Sequence, residues 1–121
     1  MAVHCDGIIL NATDVKRGIR GTKDEPEIEA RFKEFGICNA VIVTRTRQEY
    51  TVLVTPDSTR DWDIPWVECV GAGHRRKHLA VPHPTREAWP GAYWLLTAPD
   101  CREKLNDPAN VRKLLRAGAR P

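Results

Sequence analysis

The residues best suited to chemistry in this 121-residue chain are Cys69, His74, His78 and His83, gathered in one short stretch. A thiolate and imidazoles are the ligands zinc prefers, and a helix would set His74 and His78 on one face. The spacing Cys-x4-His-x3-His-x4-His matches none of the common structural-zinc patterns, however. Gly71 and Gly73 oppose a helix, and Arg75, Arg76 and Lys77 would repel a further cation. The plainer reading is a loop of titratable surface histidines, so no metal and no cofactor is expected. Cys69 and His74 could also serve as nucleophile and base, but nearness in sequence does not establish geometry.

A second set is acidic. Pro56-Asp57 and Glu68 partly resemble the PD…ExK nuclease arrangement, in which two carboxylates hold a divalent metal and a lysine assists the attacking water. Val70 stands where that arrangement has its lysine, and Pro-Asp is an ordinary turn dipeptide. A Gly-rich phosphate loop, a Gly-x-Ser-x-Gly elbow and a His-Glu-x-x-His pair are all missing from the sequence.

The third set joins positive charge to indole rings. Residues 1–60 balance nine Lys/Arg against nine Asp/Glu, whereas residues 61–121 carry ten against seven, so the whole net charge of +3 lies in the second half. Within it, residues 69–86 hold Arg75, Arg76, Lys77 and Arg86 and no acid, close to Trp62, Trp66, Trp89 and Trp94. Guanidinium groups grip phosphates and indoles stack on exposed bases, a mixture suited to single-stranded or structured nucleic acid. Trp66 and Trp94, on expected strands, read as core; Trp62 and Trp89, beside turns and prolines, read as exposed. Exposed tryptophans also anchor protein interfaces. The expectation is a small non-enzymatic binding protein, with nucleic acid the favoured partner through Arg75, Arg76, Lys77, Arg86, Trp62 and Trp89. Arg45 and Arg47 join that set if the hairpin they tip is a basic ribbon, and are otherwise a solvated end. A protein-interaction or inhibitor role on the same surface is the alternative, and a metal-dependent nuclease the second.

The elements that must carry these residues are easier to read. Residues 39–55 form two runs rich in β-branched residues around a polar centre, the pattern of an antiparallel hairpin. Val41 and Val43 share one face of the first strand, Tyr50, Val52 and Val54 one face of the second, with Ile42 and Leu53 opposite. Both sides are apolar, which predicts a central hairpin covered on each face. Residues 7–10 suggest a short strand, followed by a turn or short helix capped by Thr13. Asp24 as N-cap, Pro26 in the first turn and Glu27 predict a helix over 25–35, whose Ile28, Phe32 and Phe35 stripe packs on the hairpin and whose stop is Gly36. A third strand is expected over 64–70, where Pro65 argues for an edge position or an irregular start. A fourth is expected over 92–97. Asn106-Asp107-Pro108 opens a last helix through Ala117, apolar on Val111, Leu114 and Leu115, with Arg112, Lys113 and Arg116 near its negative end.

These elements make an α+β fold: one small domain over residues 1–121, an antiparallel sheet around a central hairpin, one helix in the N-terminal half and one at the C-terminus. A hydrophobic fraction of 41% against 29% charged residues is that of an ordinary globular chain. No apolar run is long enough for a membrane span, and the first ten residues lack the basic and apolar regions of an export signal. A cytoplasmic protein with reduced cysteines is therefore expected, since Cys5, Cys38, Cys69 and Cys101 include no Cys-x-x-Cys pair.

Overall fold

The computed structural model describes residues 5–16, 24–44, 46, 48–56, 58–71, 74, 81–88, 91–99 and 104–117. Their order is β1 (Asp6–Asn11), α1 (Ala12–Lys16), α2 (Glu25–Glu34), β2 (Val41–Val43), β3 (Glu49–Val54), β4 (Glu68–Val70), β5 (Tyr93–Leu96) and α3 (Pro108–Ala117). The strands form an antiparallel sheet in the order β4-β1-β3-β2-β5, so the β2–β3 hairpin is central, as its two-sided apolar pattern requires. Hairpin register pairs Val41 with Val52 and Val43 with Tyr50. The stretch around Gly7 is a fuller strand than its sequence suggests: β1 lies between β3 and β4 and pairs with both.

The helices begin and end where their capping chemistry places them. Asp24 has extended backbone and its carboxylate accepts from Glu27 N at 3.3 Å. At the other end Gly36 N donates to Lys33 O and Ile37 N to Phe32 O, the paired bonds of a Schellman motif. That motif needs a left-handed residue, and Gly36 supplies it at φ +80. In α1 the cap is Asn11, whose Oδ1 accepts from Thr13 N at 2.9 Å, so Thr13 is capped and not the cap. For α3, Asp107 Oδ1 accepts from Ala109 N, which frees Asn106 for another role described below.

One face of the sheet carries the main core. Ile8, Leu10, Val41, Val43, Tyr50, Val52 and Val54 pack there with Val15, Ile28, Phe32, Val111, Leu114 and Leu115 from the three helices. Phe32 meets Tyr50 edge to face at 5.7 Å, a preferred aromatic geometry. The Tyr93 hydroxyl donates to Glu25, joining β5 to the first turn of α2. On the opposite face a smaller cluster gathers Ala40, Ile42, Leu53, Trp94 and Leu105, and no described helix covers it.

Two expectations change at the sheet edges. The strand expected over 64–70 is only β4; Pro65 and Trp66 lie in a turn before it, because proline cannot donate to a ladder. On β5 the pairing with β2 jumps from Leu96 opposite Val41 to Trp94 opposite Ile42. The extra residue is Leu95, and the resulting bulge lets both Leu95 and Leu96 join the main core.

Candidate nucleic-acid interface

Of the residues expected to meet a nucleic acid, Arg45, Arg47, Arg75, Arg76, Lys77 and Trp89 lie outside the described residues. Trp62 is half-buried, contrary to expectation. Its ring packs against the main core, its Nε1 donates to Ile64 O at 3.1 Å, and the Arg112 guanidinium sits 5.0 Å from its ring centroid. Arg112 is itself tied to Asp63 Oδ1 at 3.1 Å and to Asp61 O. An indole so occupied on one face and at its N–H is a strut between the 61–64 segment and α3, poorly placed to stack on a base. Trp66 is corrected in the opposite sense: expected in the core, it is 59% exposed, because the turn that precedes β4 carries it off the sheet. Trp94 is buried as expected.

Arg86 is exposed on the irregular segment 81–88. Trp94 pins that segment to the sheet twice, through Nε1 to Pro82 O at 3.2 Å and through its backbone N to Arg86 O at 2.8 Å. Val81, Pro82, His83, Arg86 and Ala92 line a shallow depression of about 400 Å³. The Arg86 guanidinium lies across Gly91, where a Cβ would come within 2.9 Å of Nη2; Gly91 also sits at φ +82, so both space and backbone favour glycine there.

His74 is committed elsewhere. Its Nε2 lies 2.7 Å from Thr59 Oγ1, and Thr59 in turn lies 2.6 Å from Asp6 Oδ2. The carboxylate accepts the single hydroxyl proton, so His74 Nε2–H must donate to the Thr59 oxygen. Asp6 and Thr59 are buried, and a Cβ at Gly71 would collide with Asp6 Oδ1. This chain of bonds ties β1 to the loops on either side of β4. Nothing in the spacing of these three residues along the sequence signals it.

Cys69 is a poor nucleophile in this setting. Burial, reinforced by Asp6, pushes its thiol up to about 12. Its nominated base, His74, already donates its Nε2 proton to Thr59. His83 Nδ1 accepts from Thr85 N and bonds Thr85 Oγ1 at 2.8 Å. Among the described residues no three His, Cys, Asp or Glu side chains come together as a metal set; His78 and Asp57 are outside them. No helix of the described residues is long and apolar enough to cross a membrane.

No family model, curated protein or solved structure matches this chain. Its functional reading therefore rests on its own residues. Charge alone singles out Arg86 in the sequence, whereas His83 reads there only as a possible metal ligand. What unites them is the turn 83–86, closed by Arg86 N to His83 O at 2.9 Å.

Proposed function

We propose that this chain is a small non-enzymatic binding protein whose partner is a nucleic acid, held through a basic surface that includes Arg86. The observation that carries the reading is the placement of Arg86: an exposed guanidinium at a depression on a segment anchored by Trp94. It directly continues the acid-free stretch that contains Arg75, Arg76 and Lys77. Phosphates bound by such groups release condensed counterions, so affinity should fall steeply as salt rises. Cys5, Cys38 and Cys69 are free thiols, in keeping with work in the reducing cytoplasm.

The test is a salt titration of polynucleotide binding. Wild type should bind single strands at low salt, and replacing Arg75, Arg76 and Lys77 together by alanine should reduce the log–log slope by roughly two units, at about 0.7 per phosphate contact. An absence of binding at low salt defeats the reading. Trp66 favours a second one, a protein partner. It is a large exposed indole whose sequence neighbours Asp61, Asp63 and Glu68 are exposed acids, a setting that repels phosphates and suits a basic protein surface. A stoichiometric protein complex that survives added polyanion and is lost in Trp66→Ala would support it.

A further inference from the structure

We infer that the depression formed by Val81, Pro82, His83, Arg86 and Ala92 is a subsite for one nucleotide, with His83 and Arg86 on the phosphate and the aliphatic floor under the base. The inference rests on the nucleic-acid reading and makes it specific.

The His83 tautomer comes first. Thr85 N is 3.3 Å from His83 Nδ1 and donates to it, so Nδ1 is an acceptor and carries no proton. The Thr85 hydroxyl, 2.8 Å away, adds a second bond at the same atom. A neutral imidazole with Nδ1 unprotonated carries its proton on Nε2. The exposed ring thus offers an N–H donor without needing positive charge. Its neighbour along the turn, Arg86, adds a guanidinium with five donors, enough to serve an anion alongside bonds to the protein. Arg86 N bonds His83 O, so the two side chains spring from one closed turn. Trp94 fixes that turn from below through Pro82 O and Arg86 O. The backbone that carries both donors is therefore held in place by hydrogen bonds.

The other described lining residues are apolar. Val81 is 51% exposed, one of two large hydrophobic residues so displayed among the described residues, and Pro82 and Ala92 flank the same space. At about 400 Å³ the open depression has more room than an isolated phosphate fills. Donors beside apolar lining residues match a molecule with an anionic end and a flat, weakly polar end. A nucleoside monophosphate unit has both.

The experiment titrates the full chain, at low salt, with adenosine 5′-monophosphate, adenosine and inorganic phosphate, following backbone amide shifts. The monophosphate should bind saturably, perturbing Val81, His83, Arg86 and Ala92, with adenosine and phosphate each weaker by roughly tenfold or more. Arg86→Ala and His83→Ala should each weaken the monophosphate by roughly tenfold, as loss of a bond to a charged group does. Arg86→Lys, which keeps the charge but loses the fork, should recover part of that affinity. Both positions are exposed, and unchanged thermal midpoints would show that the variants fold. The subsite is overturned if the monophosphate binds no better than phosphate, or if both alanine variants bind it like wild type. Polynucleotide binding run in parallel separates the two readings. Salt-dependent polynucleotide binding without a monophosphate site would overturn the subsite and leave the nucleic-acid reading standing. Monophosphate binding without polynucleotide binding would do the reverse.

Discussion

The two faces of the sheet are covered in different ways. One is closed by three helices whose apolar side chains interdigitate with Ile8, Leu10, Val41, Val43, Tyr50, Val52 and Val54. The other carries a smaller cluster around Trp94, and the described chain over it, residues 81–88 and 104–107, is irregular and held by polar bonds. Asn106 shows how that face is fixed. It forms a parallel bridge with Val54, takes its backbone N to Leu53 O at 3.0 Å, and sends its amide to Asn39 O at 2.8 Å. Stability on the helical face comes from apolar burial, which is non-directional. On the other face it depends as well on particular donors meeting particular carbonyls.

That contrast can be broken most severely on the helical face. Val52 is fully buried between helices and hairpin, so Val52→Asp should destabilise the domain by more than about 4 kcal/mol, a buried unpaired charge being among the costliest single changes. Denaturant unfolding checks it, and an unchanged midpoint would mean the helical face is not the main core. Asn106→Ala should cost less, about 1–3 kcal/mol, because its amide bonds to Leu53 O, in a buried site, and to half-buried Asn39 O are both lost. A cost near zero would show that polar bonds do not hold the second face.

A third effect appears only with pH. The Cys69 thiol is raised by burial from an ordinary 9.0 to about 12, so the folded state resists ionisation that the unfolded chain undergoes freely. Its contribution to stability is complete below pH 9 and is lost as pH rises toward 12. Cys69→Ala should flatten that alkaline decline. A thiol-alkylating reagent at pH 8 should modify exposed Cys38 and spare Cys69 in the native state.

The same contrast explains what can be read from the chain. The helical face follows from periodicity: Ile28 and Phe32 at helical spacing, Val41, Val43, Tyr50, Val52 and Val54 at alternate positions, and the Asp24 and Gly36 boundaries all lie where the residues imply. On this face apolar burial outweighs every other contribution, and burial leaves a period in the sequence. Periodicity misleads where the chain is irregular. The β-prone run 64–70 points to a strand that would bury Trp66, although Pro65 ends the ladder and turns the indole outward. The turn beside Trp62 points to exposure, yet Arg112 covers its ring from a distant helix. The Asp6–Thr59–His74 chain, the Asn106 bridge and the pairing of His83 with Arg86 depend on hydrogen bonds between non-periodic residues, which composition and spacing do not encode.

The central claim is that the partner is met on the irregular face and that the helical face is scaffold. The most direct measurement is a titration of isotopically labelled protein with a short single-stranded oligonucleotide at low salt, following every backbone amide. The account predicts saturable shifts centred on Val81, His83, Arg86 and Ala92, with α2 and α3 unmoved and the whole pattern fading as salt is raised. Shifts centred on Arg112, Lys113 and Arg116 of α3, or no shifts at all, would contradict it.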